Sequence, residues 1–260
     1  MKKKYINYLS FAHFLSNVAG DEIIKNYKKK NLKSSKKVIE NKFELVTKVD
    51  LNIEKKIRSI IKKYYPMHNI IGEEFKNEIK NSDYCWIIDP IDGTKAFSVG
   101  IPVFGFLISL NYKNNNVLGM IDLPILRERF WNYENRAYLN GKSIKTRKCY
   151  KISDAIVAST EPNMFKNFNC ISKKLFNKFN YMRWGTDIIG YLRCSEGLVD
   201  AVIERNIKIW DIAAIDPIIK AAGGNITTWE GKPIGTDDTV CAAGDKSLHT
   251  KLLKSLQKFI

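Results

Sequence analysis

Apolar positions along the chain recur at two periods, one helical and one extended. Tyr5, Tyr8, Leu9, Ala12, Leu15, Val18 and Ala19 recur at three- and four-residue steps, which predicts an amphipathic helix near the start. Leu51, Ile53, Ile57, Ile60, Ile61 and Tyr64 make a second helical face, preceded by Thr47 and Asp50, side chains suited to a first turn. Between them lies a short polar, low-complexity stretch over residues 28–37. Residues 84–88 read as a strand running into Asp89, and 103–110 and 117–122 as two more, joined by a turn at 113–116. Residues 129–133 and 136–138 continue this strand-rich part, and Asn140-Gly141 is a strong turn dipeptide. Farther on, 156–159, 181–183 and 201–204 read as strands, 188–196 as a helix, and 212–222 as a helix closed by Gly223-Gly224. This alternation predicts an α+β or mixed α/β chain. Two subdomains, residues 1–148 and 149–260, are expected to meet near residues 147–153.

Composition narrows the class. A 260-residue chain with 45% apolar and 27% charged residues is ordinary for a globular protein and needs no staple to fold. Its five cysteines form no CxxC pair, which argues against a disulfide framework or a zinc site and for a reducing compartment. The three histidines stand beside no evident nucleophile, so a serine or cysteine triad is not expected. No apolar run approaches the ~18 residues of a membrane helix. The first twenty residues imitate a signal peptide, but Asn7, Ser10, His13 and Ser16 interrupt the apolar stretch; a helix of a mature, cytoplasmic protein is expected instead.

The net charge is +16, and residues 1–63 hold 17 Lys/Arg against 6 Asp/Glu. Such a stripe could track a nucleic-acid backbone. Only 8 of the 43 basic residues are arginine, however, the usual reader of base edges and planar phosphate clamp. A solvated lysine-rich surface with a mild pull on small anions is the simpler reading. A non-catalytic nucleic-acid-binding protein remains the alternative from a different class; it predicts salt-sensitive binding and no metal-dependent turnover.

The candidate chemistry begins at residues 86–97, WIIDPIDGTKAF. An apolar strand delivers Asp89, Pro90 removes a donor and ends the ladder, and Asp92 follows in a turn allowed by Gly93, with Thr94 beyond. Two carboxylates around such a turn can converge with the Ile91 carbonyl, all hard oxygen donors of the kind Mg²⁺ prefers. An Asx-turn and helix cap account for Asp92 and Gly93. They do not account for a carboxylate at the buried end of a strand, which needs a partner. The D-x-D of aspartate-nucleophile phosphatases has its acids two apart, not three. Glu73-Glu74 after Ile70-Ile71-Gly72, and Asp211 within Trp210-Asp211-Ile212-Ala213-Ala214, are weak signals singly: a solvated pair and a helix cap. Together, four acids at the edges of apolar elements suggest a multi-carboxylate metal site.

In this order and spacing, Asp50, Gly72-Glu73-Glu74, Asp89-Pro90-Ile91-Asp92-Gly93-Thr94 and Trp210–Ala214 resemble the inositol monophosphatase family of magnesium-dependent, lithium-sensitive phosphatases. The resemblance spans about residues 5–250. It implies a layered α-β-α-β-α sandwich, a homodimer, and hydrolysis of small phosphate monoesters with two or three Mg²⁺ ions. It further implies metal ligation by Glu73, Asp89, Asp92, Asp211 and the Ile91 carbonyl. Glu73 and Thr94 would hold the attacking water, with Asp50 supporting Thr94 or a further metal, and amides around Gly93 and Thr94 would meet the phosphate. Residues 1–148 would carry most metal ligands, and 149–260 Asp211 and the leaving-group contacts.

Within the family, residues 89–110, 119–131, 159–165, 183–191 and 221–231 are similar to the histidinol-phosphate phosphatase-like branch, with Lys95 after the threonine. Trp210 stands where that branch often has Tyr, and Gly185-Thr186 also matches the inositol branch. L-Histidinol phosphate carries an ammonium, so its site should add an anion. Asp187 and Glu204 are the candidates, with Arg183 orienting one of them; the plainer alternatives are a helix cap and an exposed strand-end acid. A myo-inositol 1-phosphate or broad sugar-phosphate phosphatase would share every metal motif. A 3′-phosphoadenosine phosphatase would need nucleotide contacts that are not evident.

Overall fold

The computed structural model describes residues 2–29, 34–39 and 42–260, with side chains described for 7–29 and from Thr47 onward. The Tyr5 side chain and residues 30–33 of the polar stretch lie outside the described set. The first helix runs Lys2–Asn26 (α1) and buries Tyr8, Ala12, Leu15 and Ala19 in one stripe, as their spacing requires. An antiparallel ladder then joins β1 (Ser34–Ile39) to β2 (Lys42–Thr47); β1 overlaps the polar stretch, and only the short alternation of Phe43 and Leu45 marks β2 as a strand. The second helix, α2 (Lys48–Tyr64), starts at Thr47, whose hydroxyl accepts from Val49 N while Asp50 accepts from Thr47 N at 3.0 Å. Ile53, Ile57 and Ile61 are fully buried. Tyr64, expected on that face, instead stands in the last turn against Phe11, largely in solvent.

Seven strands form the larger sheet in chain order: β3 (Asn69–Gly72), β4 (Tyr84–Asp92), β5 (Gly105–Tyr112), β6 (Asn115–Leu123), β7 (Glu128–Tyr133), β8 (Arg136–Leu139) and β9 (Lys142–Ile144). Only β3 and β4 are parallel; all other neighbours are antiparallel. The hairpins at Lys113-Asn114 and Asn140-Gly141 put both central residues at positive φ, the geometry that matches strand twist. Between β4 and β5 lies the short helix α3 (Thr94–Val99).

β4 corrects an expectation. Pro90 does not end the strand. Asp89 faces Leu107 and Asp92 faces Gly105, three steps against two, so β4 carries a one-residue bulge. Pro90 lies in that bulge, where no ladder donor is needed.

The second sheet has five strands in the order β11-β10-β12-β14-β13. They are β10 (Ile156–Ser159), β11 (Tyr181–Trp184), β12 (Ala201–Arg205), β13 (Asn225–Thr227) and β14 (Thr239–Ala243), with β10 parallel to both its neighbours. Its helices are α4 (Phe168–Lys174), α5 (Asp187–Ser195), α6 (Ile209–Ile212), α7 (Ile215–Ala221) and α8 (Lys246–Leu256). The single helix expected over 212–222 is therefore two. Pro217 has no N–H to return to the Ala213 carbonyl, and the chain breaks there.

Three cores stack the layers. α1 and α2 cover one face of the large sheet through Leu15, Ile53, Ile57, Trp86 and Phe106. α5 and α7 fill the space between the sheets, where Leu107, Ile121 and Phe130 meet Ile188, Leu192, Ile215 and Ile218. α4 and α8 close the far side with Trp229, Phe176, Leu248 and Leu252. The order is α-β-α-β-α, as the resemblance implies.

Candidate active site

The bulge in β4 decides where the acids point. In a regular strand, residues 89 and 92 face opposite sides; one extra residue returns both to the same side. Carboxylate oxygens of Asp89, Asp92 and Asp211 accordingly lie within 4.8 Å of one another. Asp89 is 1% exposed at the end of an apolar run. Asp92 is held by Ile188 N at the start of α5 (2.9 Å to Oδ2), and Asp211 by Lys208 N in the first turn of α6 (2.8 Å to Oδ2). The large sheet thus supplies two members of the cluster and helix α6 the third.

Glu73 arrives on the loop after β3 and hydrogen-bonds Asp89. Burial first, then the charges of Asp211, Glu74 and Asp50, push its carboxyl well above the ordinary range. Asp89 is pushed up in the same way by burial and by Glu73, Asp92 and Asp211, and Asp92 by burial, Asp187 and Asp211. Such crowding calls for positive charge. Asp89 Oδ1 is buried with no hydrogen-bond partner among the described residues, so one oxygen of the cluster is presented to the cleft without a protein donor. An all-oxygen donor set of this kind fits a hard divalent cation such as Mg²⁺.

Gly93 turns the chain out of β4 at φ +80°; a Cβ there would lie 3.2 Å from Phe104 Cα and from the Val103 carbonyl. Thr94 then opens α3. Its hydroxyl lies 3.0 Å from the Ile91 carbonyl and 3.2 Å from Asp50 Oδ1. A hydroxyl whose hydrogen points to either acceptor can only receive a hydrogen bond from the cleft side. Asp50 itself does not line the cleft: it is fully buried behind Thr94, with Oδ2 bonded to the Thr47 amide and hydroxyl. Burial raises its carboxyl and these hydrogen bonds restrain the rise.

The cleft, about 600 Å³, is lined by Glu73, Asp89, Ile91, Asp92, Gly93, Thr94 and Asp211 on one side and by Thr160, Glu161, Asn163, Asp187, Tyr191, Glu204 and Asn206 on the other. Glu204 is no exposed strand-end acid. It is 2% exposed on β12, accepting from the Thr160 hydroxyl (2.6 Å) and the Tyr191 hydroxyl (2.8 Å), and burial raises its pKa to about 7 against those bonds. Asp187, in the left-handed region at φ +44°, donates its amide N–H to Thr160 Oγ1 (3.1 Å). Burial and the charge of Glu161 raise its carboxyl to about 6, opposed by Lys95. Lys95 and Glu161 pair across the mouth at 2.7 Å.

Arg183 departs from expectation. It is exposed on β11 and outside the cleft lining, because the strand's alternation turns it away from Asp187 and Glu204. Thr160, Glu161, Asn163, Tyr191 and Asn206 were not singled out from sequence. Thr160 and Tyr191 act through Glu204, and a hydroxyl in that role carries no spacing signal.

Comparison with known proteins agrees with this geometry. The inositol monophosphatase family profile matches residues 7–260. The chain is 38% identical to the Arabidopsis thaliana bifunctional phosphatase IMPL2, chloroplastic, over 85% of its own length and 70% of the relative's. It is 32% identical to the Aquifex aeolicus fructose-1,6-bisphosphatase/inositol-1-monophosphatase (99% and 97% covered) and 29% to a Streptomyces coelicolor histidinol-phosphatase (98% and 98%). The structure superposes on an inositol monophosphatase from Zymomonas mobilis with a TM-score of 0.86 at 32% identity, covering 97% of this chain and 98% of that one.

Proposed function

The chain belongs to the inositol monophosphatase family and is a phosphoric monoester hydrolase; from that premise we propose that its substrate is L-histidinol phosphate, converted to histidinol as in histidine biosynthesis. The observation that carries this choice is the pair Asp187 and Glu204, two acidic side chains lining the same cleft as the metal cluster. The phosphate end is common to all candidate substrates, so selection falls to groups that face the leaving alcohol. A carboxylate there suits an ammonium better than a ring of neutral hydroxyls. A charge-assisted hydrogen bond is worth roughly 1.5–3 kcal/mol, enough for about ten- to a hundred-fold preference.

In this reading Glu73, Asp89, Asp92, Asp211 and the Ile91 carbonyl hold the cations, two or three per site. Bound Mg²⁺ supplies charge neutralisation for the phosphate and acidifies a water. Glu73 would hold the attacking water and take its proton, and Thr94, kept in orientation by Asp50, would receive a hydrogen bond from it. Amides at Gly93 and Thr94 meet the phosphate. Residues 1–148 and 149–260 then act as two subdomains that meet at the cleft, the first carrying most ligands and the second Asp211 and the alcohol-facing wall. Family resemblance supports a homodimer, and five cysteines without a CxxC pair suit the reducing cytoplasm. Among the described residues no helix is long and apolar enough to cross a membrane.

The test is a kcat/KM comparison over a monoester panel. L-Histidinol phosphate is expected to exceed myo-inositol 1-phosphate by about ten- to a hundred-fold, and Asp187→Asn to remove most of that margin. A wild-type preference for the inositol ester would instead favour the second reading, which the likeness to inositol monophosphatases supports.

A further inference from the structure

Glu73 reaches the cluster on a stretch of chain that neither sheet holds. The last β3–β4 pair is Gly72 opposite Ile88, after which the backbone leaves the ladder. It returns at Glu78, which exchanges both backbone hydrogen bonds with Ile70 (2.9 and 2.8 Å) and closes the loop at its base. Inside that loop stands a side-chain pair from α2. Glu54 is fully buried and Arg58 nearly so, one helical turn apart and joined at 2.7 Å.

Both carboxylate oxygens of Glu54 and both terminal nitrogens of Arg58 are turned on the loop backbone. Glu54 Oε2 accepts from Glu74 N at 2.8 Å and Oε1 from Phe75 N at 3.3 Å. Arg58 donates to the Phe75 carbonyl (3.1 Å), the Lys76 carbonyl (3.2 Å) and Glu78 Oε1 (3.3 Å). Two backbone donors and two backbone acceptors are thus met as a neighbouring strand would meet them. Gly72 lets the pair come this close: a Cβ there would stand 2.2 Å from Glu54 Oε1 and 2.9 Å from Arg58 Nη2. A buried ion pair is a weak source of stability, because desolvation offsets the attraction, and apolar residues of like size often replace it without loss. Its fixed geometry is what an apolar pair cannot supply.

We propose that Glu54 and Arg58 are positioning residues for metal binding, holding the loop at 73–76 so that the Glu73 carboxylate stands beside Asp89. The proposal rests on the reading of Glu73 as a metal ligand. Loss of such supporting contacts typically weakens metal affinity about 10–100-fold.

Mn²⁺ titration, followed by the spin resonance of the free aqua ion, reads binding without turnover. At a temperature far below melting, Glu54→Gln is expected to weaken Mn²⁺ binding at least about ten-fold. It should raise the Mg²⁺ concentration for half-maximal activity by a like factor, with a smaller loss of kcat at saturating Mg²⁺. Gly72→Ala, which displaces the carboxylate without changing charge, should do the same. The double variant Glu54→Leu/Arg58→Met removes both charges together and is expected to fold with a lowered melting temperature and to bind weakly, and it carries the test should Glu54→Gln not fold. Affinity within two-fold of wild type in the folded variants, whatever their melting temperature, overturns the proposal while Glu73→Gln still binds poorly. If Glu73→Gln itself binds Mn²⁺ as wild type does, the ligand reading falls and the positioning role with it.

Discussion

Asp89 shows what a single residue can announce. A carboxylate closing an apolar strand needs a counter-charge, and the string around it names its companions: Asp92 three residues on, Thr94 two beyond that. Those residues were legible because each must be one type of side chain at a fixed offset. The far wall was less so, since Thr160 and Tyr191 matter only through Glu204, and Arg183, two residues before a glycine-threonine turn, faces away on β11. Two substitutions test the roles at this scale. Glu73→Gln keeps size and removes the basic oxygen; Thr94→Val is nearly isosteric and removes the hydroxyl that meets Asp50 and the Ile91 carbonyl. Each is expected to lower kcat by about 10²–10⁴-fold while circular dichroism stays native. Near-normal turnover in both variants would show that the water is held by other groups.

At the scale of elements, one glycine explains how α6 can bring Asp211 to the cluster. A Cβ at Gly119 in β6 would lie 1.9 Å from the carbonyl oxygen of Ala214, on the link between α6 and α7, and 3.0 Å from Pro217 Cγ in the first turn of α7. Backbone on each side cannot yield as a flexible side chain would. Gly119→Ala is therefore expected to cost about 1–3 kcal/mol in urea unfolding and to weaken Mn²⁺ binding by moving Asp211. Unchanged stability would mean that this contact is slack. The element pattern itself was largely open to reading: α1, α2, the hairpins of the large sheet and α5 follow from apolar spacing and turn dipeptides. What escaped has a physical cause in each case. The ladder β1–β2 starts in a lysine-rich stretch and carries only the short alternation of Phe43 and Leu45, β4 continues through Pro90 by bulging, and the break between α6 and α7 falls inside an unbroken apolar run.

The molecule as a whole carries an excess of buried acid in the cleft, and its stability should follow. Glu204 has a pKa of about 7 in the folded protein against 4.5 ordinarily, so between those values the native state keeps a proton that the unfolded chain has released. Its contribution is complete below about pH 4.5 and is lost as pH climbs through 7, roughly 3 kcal/mol at most. Glu73, Asp89 and Asp92 are displaced in the same direction. In chelator the melting temperature is thus expected to fall from pH 5 to pH 8, with a shallower fall in Glu204→Gln; a rise would refute the assignment. Excess chelator should also abolish turnover, with Mg²⁺ restoring it and Ca²⁺, whose looser geometry misplaces the water, restoring less. The large sheet has a further consequence, for time rather than energy. Its strands lie side by side in the order in which a ribosome releases them, so most of it can assemble from near neighbours. Asp211 is synthesised long afterward, and until the second half docks, Glu73, Asp89 and Asp92 face one another without their fourth member. Cation affinity in a refolding experiment should accordingly appear after sheet formation, making captured metal the signal that the last step of folding is over.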